Sequence, residues 1–447
     1  MIVSKFGGSS MADIPAMKRS AKIGNKHKSK LIIVSATYGT TNQLLETIDL
    51  ATSGDLDEAI NLTNTIKNRH LKLSEEICLE GEALNNLVSV LDELEHLTKG
   101  IYYLKECSPK AKDRIQSIGE RLSSILFTKV LQSESPAKNV LTIDARDYLV
   151  TDTQHTKAKP NLEKTKAKCE NIKNQLNESS ELVYVSQGFI GRSTDGDTTT
   201  LGRGGSDYSA SLFAEALDAS EIQIWTDVAG VATTDPRICK DAKIISELSF
   251  KEAAEMATFG AKILHPTTMA PAQRAKIPVF VGSSYESEEP GTWIKPSVDS
   301  TPLVRAVTQR KDQALITISN PHMLMAHGFL AKVFQVFEKH DISIDAITTS
   351  EISVAMTLNS QDLEVPDLIE DLEKYGKVTV ENNLTLISII GNKINHTPGL
   401  ASKIFGGLKE TNVRMICQGA SLHNFCFIVE GKYGNNAVNE MHRTFIG

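Results

Sequence analysis

Residues 2–10, Ile-Val-Ser-Lys-Phe-Gly-Gly-Ser-Ser, place a short apolar strand directly before a pair of glycines. Adjacent glycines let the backbone approach a bound anion closely, and Lys5 adds a positive charge at the same turn. The pattern also fits an ordinary tight turn, so this segment alone leaves both interpretations open. It predicts a strand and a candidate anion site at the start of the chain.

Further apolar segments of strand length follow, and stretches with helical periodicity separate them. Strands are predicted at 31–35, 183–187, 222–226 and 279–282. Residues 43–135 are mostly helical in pattern, whereas the polar residues 151–180 predict an exposed excursion. Strands that alternate with helices predict an α/β fold with a mostly parallel sheet sandwiched by helices.

A repeat occupies the C-terminal part of the chain. Gly328 and Gly399 each precede a helical pattern, and the strand-like segments around them recur at the same spacing. Each copy has the order strand, helix, strand, strand. A unit of about 70 residues is too long for a solenoid repeat of roughly 20–50 residues, so we predict two small α+β domains. The Pro-rich, polar residues 288–302 before the repeat predict a domain boundary.

Composition excludes several classes of protein. The 447 residues carry a net charge of −7 without a long basic block, so we expect no nucleic-acid partner. No apolar run approaches the ~18 residues that cross a bilayer, and no secretory signal is recognised, so we expect no membrane association. The six cysteines form no C-x-x-C pair. They predict reduced thiols and a cytoplasmic location, with no zinc site.

Polar, glycine-containing segments follow several predicted strands. Residues 202–207, Gly-Arg-Gly-Gly-Ser-Asp, lead into a helix whose N-terminus would suit a phosphate group. Arg203 can form paired hydrogen bonds with a carboxylate or a phosphate. From the residues alone, these segments indicate a phosphate-handling α/β enzyme joined to a tandem module.

Taken together, the motifs resemble those of the aspartate kinases in the amino-acid kinase family, above all the monofunctional, lysine-sensitive bacterial type. The resemblance covers essentially the whole chain. It is carried, in order, by KFGGSS (5–10), VSATYGTTN (34–42), GERLS (119–123), GRGGSD (202–207), WTDVAGV (225–231) and FGAKILHP (259–266). The repeat resembles the paired ACT domains of that family. The resemblance implies an amino-acid kinase domain over 1–290, a linker over 291–304, and ferredoxin-like ACT domains over 305–380 and 381–447.

The implied reaction transfers a phosphoryl group from ATP to the side-chain carboxylate of L-aspartate. It gives 4-phospho-L-aspartate, the first intermediate of lysine, threonine and methionine biosynthesis. A carboxylate with a free pKa of ~3.9 is already ionised at neutral pH, so it needs no general base. Positioning and positive charge are therefore expected to carry catalysis, with Mg²⁺ arriving on the ATP.

The resemblance also implies site residues. Lys5 and Asp207 are assigned to catalysis, while Arg203 is expected to hold the substrate α-carboxylate and Glu120 its α-ammonium. The assigned substrate pocket comprises Thr41, Glu120, Arg203, Gly204, Gly205 and Ser206. The assigned ATP site comprises Lys5, Phe6, Gly7, Gly8, Thr226, Asp227, Ala232, Arg237, Lys262 and Ile263. Ala232 stands where related enzymes often place a tyrosine against the nucleotide, and this change removes a stacking surface.

Paired ACT domains imply feedback control by an amino acid, with lysine expected as the effector. Asp345 is expected to hold the effector's ammonium group. The assigned effector site comprises Met323, Gly328, Phe329, Leu330, Ser343, Ile344, Asp345, Ser350 and Glu351. The ACT pair also implies a homodimer or homotetramer.

Two alternatives stay open at this point. One is another amino-acid kinase, such as one that acts on glutamate; such kinases usually lack the GERLS helix and the tandem ACT units. The other is a catalytically inactive amino-acid sensor. The presence of Lys5, Glu120, Arg203 and Lys262 argues against the sensor.

Overall fold

The computed structural model describes residues 1–261, 264, 266–299, 301–323, 327–408 and 411–447. The chain forms two compact units. The first comprises residues 1–231, 245–250 and the described part of 264–297. The second comprises 232–244, the described part of 251–263, and the described residues from 298 onward. The domain limits given above at 290, 304 and 380 stay predictions.

Two sheets lie within the described part of the first unit. Their strands are β1 Ile2–Phe6, β2 Ser29–Val34, β3 Asn139–Ile143, β4 Val150–Thr151, β5 Leu182–Gln187, β6 Ile190–Ser193, β7 Thr198–Thr200, β8 Glu221–Thr226, β9 Glu247–Ser249, β10 Val279–Ser283 and β11 Thr292–Lys295. The larger sheet has the order β3-β5-β2-β1-β8-β10-β11-β9, and the smaller one the order β4-β6-β7. From β3 to β10 all neighbours are parallel, and β11 runs antiparallel to β10. The predicted, mostly parallel sheet is therefore confirmed.

Helices connect these strands. Their bounds are α1 Ile14–Lys26, α2 Thr40–Ser53, α3 Leu56–Glu76, α4 Gly81–Leu104, α5 Pro109–Glu134, α6 Ala145–Tyr148, α7 Leu162–Glu178, α8 Gly205–Ala216, α9 Phe250–Thr258 and α10 Pro266–Ala275. The predicted helical stretch 43–135 is confirmed by α2 to α5. Among the described residues, no helix combines the length and the apolar character that crossing a membrane requires.

The prediction of an exposed excursion at 151–180 is wrong for its second half. Residues 162–178 form α7, which buries Thr165, Cys169, Ile172 and Leu176. These four residues recur at steps of three and four, so they share one helix face. Lysine, glutamate and asparagine at most other positions made the segment polar overall and concealed that narrow face.

Alternation along β1 separates the core from the candidate site. Phe6 is fully buried, and its ring lies 6.1 Å from Phe127 of α5 and 6.5 Å from Trp225 of β8. Successive side chains of a strand point to opposite faces, so Lys5 points away from this cluster. Phe6 thereby anchors the strand that presents Lys5.

The described part of the second unit contains one antiparallel sheet with the order β13-β14-β12-β15-β17-β16. Its elements are β12 Val304–Ser319, α11 Phe329–Lys339, β13 Ala346–Thr349, β14 Ser353–Asn359, α12 Leu368–Glu373, β15 Lys377–Gly391, α13 Leu400–Gly406, β16 Val413–Cys417, β17 Asn424–Glu430 and α14 Gly434–Phe445. Gly328 and Gly399 precede α11 and α13 with φ of 77° and 76°. This left-handed backbone favours glycine and marks the same position in both repeats.

The two repeats have separate hydrophobic cores. Ile316 and Ile318 of β12 pack with α11 and β14 in one core. Val304 and Val307, from the beginning of the same strand, pack with β15, α13 and β17 in the other. The second repeat therefore includes a strand segment that precedes the first repeat along the chain.

Two segments that precede β12 also belong to the second unit. The Thr233 carbonyl accepts the Val307 N–H at 2.8 Å, and Thr233 Oγ1 lies 2.9 Å from Nε2 of the buried His442. Arg305 Nε donates to Oε1 of the fully buried Glu252 at 3.0 Å. Residues 232–244 and the start of α9 are thus built into the structure that carries the repeats.

Candidate active site

A cavity of about 640 Å³ lies at the carboxyl ends of β1 and β2 in the first unit. In parallel sheets, ligands bind where loops from neighbouring strands diverge, and β1 has neighbours from distant parts of the chain on its two sides. The cavity is lined by Lys5, Gly8, Ser35, Ala36, Thr37, Tyr38, Gly39, Thr41, Leu45, Lys112, Gln116, Glu120, Thr156, Lys157, Phe189, Gly202, Arg203, Gly204, Gly205, Ser206 and Asp207. It therefore brings together the assigned catalytic pair and every assigned substrate residue.

Lys5 and Asp207 form an ion pair at this cavity. Lys5 Nζ lies 2.7 Å from Asp207 Oδ1, and both side chains are largely withdrawn from solvent. Asp207 lies in the first turn of α8, where the helix dipole favours a negative charge. The pair holds the lysine ammonium in one place at the end of β1.

The glycine-rich loop brings backbone close to the cavity. Gly204 precedes α8 with φ of 71°, a left-handed conformation that favours glycine. A Cβ on Gly205 would lie 2.5 Å from the Phe189 ring, so a side chain has no room there. The Gly205 N–H donates to the Gly202 carbonyl at 3.0 Å. The next N–H groups of α8, those of Ser206 and Asp207, have no carbonyl one turn back within the helix and so form a potential anion site. Arg203 is exposed at the start of the same loop.

Glu120 is a buried carboxyl at the cavity wall. A Cβ on the preceding Gly119 would lie 2.7 Å from Ala36 Cβ, so glycine lets α5 pack closely against the loop after β2. Glu120 is 3% exposed, and Oε2 accepts no hydrogen bond from the described residues. Burial raises the pKa of Glu120 to about 8, although the Ala36 N–H and Lys5 partly oppose this shift. The site offers a place for a cation beside Glu120.

A buried histidine supports the loop after β2. His70 Nδ1 lies 2.8 Å from the Ile66 carbonyl, which can only accept, so Nδ1 carries the proton. Burial lowers the pKa of His70 to about 4, which keeps the ring neutral. Nε2 then accepts a hydrogen bond from the Thr37 hydroxyl at 3.0 Å, and Thr37 Oγ1 lies 2.6 Å from Thr40 Oγ1.

The assigned nucleotide residues are only partly brought together. The Phe6 side chain lies in the core and so cannot touch a ligand. The Gly7 N–H donates to the Trp225 carbonyl at 3.0 Å, which corrects the expectation that it is available to phosphate. Gly8 does line the cavity. Thr226 ends β8 and Asp227 follows it, and Thr226 Oγ1 donates to Asp227 Oδ1 at 3.0 Å.

Four assigned nucleotide residues remain, of which two belong to the second unit and two lie outside the described residues. Ala232 and Arg237 belong to the second unit, where Arg237 forms paired hydrogen bonds with Asp235 at 2.6 and 2.9 Å. Ala232 pairs with Ile244 in an isolated bridge. Lys262 and Ile263 lie outside the described residues. The nucleotide assignments of all four stay predictions.

The assigned effector residues surround the start of α11 and the approach to β13. Arg310 Nη1 lies 2.7 Å from Asp345 Oδ1, while the buried Oδ2 accepts no hydrogen bond from the described residues. Ser350 Oγ lies 2.8 Å from Ser353 Oγ. Phe329, Leu330 and Ile344 pack against the core of the first repeat. Met323 and Gly328 precede α11, Ser343 lies between α11 and β13, and Glu351 lies between β13 and β14.

The cavity contains residues that the sequence analysis missed. Lys112 and Gln116 precede Glu120 on α5 by eight and four positions, so helical periodicity from Glu120 could have found them. Thr156, Lys157 and Phe189 reach the cavity from distant loops, and no local sequence signal marks them. In the part of the chain that the structure describes, no group of three or more His, Cys, Asp and Glu side chains is arranged to hold a metal ion.

Comparison with known proteins shows similarity over the full chain. Residues 1–283 match the amino acid kinase family model, and residues 387–445 match an ACT domain model. The lysine-sensitive aspartokinase 3 of Escherichia coli K12 is 40% identical over 99% of this chain and 98% of that protein. The chloroplastic aspartokinase 1 of Arabidopsis thaliana is 36% identical over 99% of this chain and 80% of that protein.

Solved structures also show similarity over the full chain. The E. coli aspartokinase III structure in complex with aspartate and ADP, in the R-state, has a TM-score of 0.88 at 39% identity, with both chains fully covered. The structure of that enzyme in complex with lysine and aspartate, in the T-state, has a TM-score of 0.84 at the same identity and coverage.

Proposed function

This chain belongs to the aspartokinases of the amino acid kinase family, and we propose that it transfers the γ-phosphoryl group of ATP to the side-chain carboxylate of L-aspartate. The predictions of family and fold class are confirmed. One observation carries the proposed reaction. A single cavity presents Lys5, Arg203 and Asp207 together with a buried carboxyl, Glu120, that has an unused oxygen.

Arg203 and Glu120 supply the two charges that recognise an α-amino acid. The guanidinium can pair with the α-carboxylate, and the Glu120 carboxylate can pair with the α-ammonium. A buried carboxylate without a partner is costly, so an incoming ammonium stabilises the charged form of Glu120. Thr41 and Ser206, which also line the cavity, are proposed to complete the substrate pocket.

Phosphoryl transfer requires two anions to approach each other. The aspartate carboxylate is ionised at neutral pH, so catalysis needs no base but does need fixed positive charge. We assign this charge to Lys5, which Asp207 orients, and to the N–H groups at the start of α8. The nucleotide is proposed to enter as MgATP, with the metal held chiefly by the phosphates.

Lysine is the proposed effector, bound by the second unit. Asp345 carries the unused oxygen that an effector ammonium could take, next to Arg310. We further propose a cytoplasmic homodimer or homotetramer that associates through the ACT repeats. Light scattering of the purified protein, with and without lysine, tests the assembly.

One assay tests the reaction against its alternatives. Purified protein with MgATP and hydroxylamine should form aspartyl hydroxamate from L-aspartate and little product from L-glutamate. Equal or greater product with glutamate would favour the glutamate-type kinase, and no product with either would favour the sensor. The Lys5→Ala variant, prepared in parallel, excludes a contaminating kinase if it loses the activity.

A further inference from the structure

Asp113 is a fully buried carboxylate near the start of α5, and two other segments of the chain, residues 155–156 and Thr200, converge on it. His155 Nδ1 donates to Oδ2 at 2.7 Å. The Thr156 N–H lies 3.0 Å from both carboxylate oxygens. The Thr200 hydroxyl donates to Oδ1 at 2.6 Å. A buried carboxylate is tolerated only when hydrogen bonds replace water, and here both oxygens are used.

Each of these segments leads directly into the cavity. Asp113 precedes Glu120 by seven positions, close to two helical turns, so both lie on the same side of α5. Thr200 ends β7 three positions before Arg203. Thr156 and the adjacent Lys157 line the cavity themselves. The Asp113 carboxylate therefore joins α5, which carries Glu120, to the loop after β7, which carries Arg203.

Further contacts hold the same segments to one another. The Ala158 N–H donates to the Thr200 carbonyl at 2.9 Å. A Cβ on Gly202 would lie 3.3 Å from the Thr156 carbonyl oxygen, so the two loops are in close contact. Thr156 has φ of 69°, a conformation that is unfavourable for a β-branched residue. Such strain persists only when surrounding contacts fix the backbone, and the bond from the Thr156 N–H to Asp113 is one of them.

We propose that Asp113 is a positioning residue that sets the spacing between Arg203 and Glu120, and thereby the affinity for the amino-acid substrate. The inference rests on the proposed function, in which those two residues hold the α-carboxylate and the α-ammonium. A shift of the loop that carries Arg203 against α5 would misalign the two charges. A misplacement of about 1 Å can lower the efficiency of an enzyme by up to ~10²-fold. Lys5 lies on a different element and is held by Asp207. Nucleotide use should therefore change little.

The decisive variants are at Thr200, because Asp113→Asn places an amide against the Thr156 N–H and can impair folding. Thr200→Val removes one hydroxyl donor to Asp113 at nearly constant volume, and Thr200→Ser keeps that hydroxyl. Thr199→Val is the matched control, since Thr199 is equally buried but its hydroxyl lies 2.8 Å from Thr151. We expect Thr200→Val to raise the KM for aspartate about tenfold. The kcat and the KM for ATP should stay within about twofold, as should all three constants for Thr200→Ser and Thr199→Val.

Several results would overturn this role. If Thr199→Val raised the KM for aspartate as much as Thr200→Val, the effect would be one of general packing. The same conclusion would follow if Thr200→Ser raised that KM as much as Thr200→Val. A parallel change in the KM for ATP would also contradict it. If wild-type protein phosphorylates aspartate normally and Thr200→Val leaves its KM unchanged, the positioning role alone fails. If wild-type protein does not phosphorylate aspartate, the proposed function fails and this inference falls with it.

Discussion

The ammonium of Lys5 and the carboxylate of Asp207 lie 2.7 Å apart, although the two residues come from the first strand and from α8. Both side chains are largely buried, and the pair holds a positive charge at the place where we propose that the transferred phosphoryl group binds. The oriented charge, not a proton acceptor, is what the proposed reaction requires.

Removal of Lys5 should therefore chiefly lower turnover. We expect Lys5→Ala to reduce kcat by about 10²–10³-fold, because removing one positioned donor to a developing charge typically lowers kcat by that factor. Asp207→Asn should lower kcat less, because it loosens the lysine without removing it. Steady-state kinetics measure both, with the exposed Lys18→Ala as a control. Full turnover in Lys5→Ala would contradict the assignment.

Arg203 is expected to govern the use of aspartate. Arg203→Ala should raise the KM for aspartate by roughly 10–100-fold, because a paired hydrogen bond to the α-carboxylate is lost. The KM for ATP should change less. The surface substitution Arg192→Ala, which breaks an exposed pair with Asp147, is a suitable control. Unchanged aspartate kinetics in Arg203→Ala would reject its role.

The raised pKa of Glu120 predicts how aspartate binding depends on pH. In the empty site the carboxyl is neutral below its pKa of about 8, and it must ionise to hold the substrate ammonium. The KM for aspartate should therefore fall as pH rises toward about 8, by up to ~10-fold per pH unit, and then level off. Glu120→Gln should abolish this dependence and keep the KM high. A wild-type KM that is flat across this range would contradict the prediction.

The same group predicts a change in stability. The pKa of Glu120 is higher in the folded protein than in the unfolded chain, so its contribution to the free energy of unfolding is full below the unfolded value. That contribution is lost as pH rises through about 8. Without aspartate, Glu120→Gln should thus gain thermal stability relative to wild type at alkaline pH. Thermal melts across pH, with and without aspartate, measure the difference.

Asp345 is expected to govern inhibition by lysine. Asp345→Asn should raise the lysine concentration for half-inhibition at least about tenfold, since a neutral amide no longer attracts an ammonium. Basal kcat should stay within about twofold. Asp341→Asn is the matched control because Asp341 is exposed nearby with φ of 54°, which asparagine also tolerates. Equal inhibition of Asp345→Asn and wild type would exclude Asp345 from the effector site.

The sequence predicted those parts of the fold that local patterns control. Largely apolar segments located β2, β5, β8 and β10, because strands buried on both faces contain few polar residues. The repeat was predicted from segments that recur at one constant spacing, among them those that begin at Gly328 and Gly399. Both glycines have a backbone conformation that favours glycine. The face of α7 was missed because only four of its residues are buried, and charged or polar residues occupy most of the other positions.

Site residues that belong to a recognised motif could be predicted from the sequence, whereas residues that only the tertiary structure brings to the site could not. Glu120 was assigned only through its motif, since a glutamate in an amphipathic helix ordinarily faces solvent. Gly7 was assigned to the ATP site, but its N–H donates to the Trp225 carbonyl of the adjacent strand β8. Asp113 and Thr156 carry no local signal, because their contact joins positions more than forty residues apart.

The union of residues 232–244 with the C-terminal repeats limits how the protein can be engineered. Truncation after residue 297 would remove Val307 and His442, the partners of Thr233, together with Arg305, the partner of Glu252. Such a fragment would expose polar backbone at residue 233 and would lose a buried hydrogen bond of Glu252. Both changes favour aggregation over an unregulated catalyst. Variants that escape inhibition by lysine are better made by single substitutions at the proposed effector residues than by truncation of the chain before the repeats.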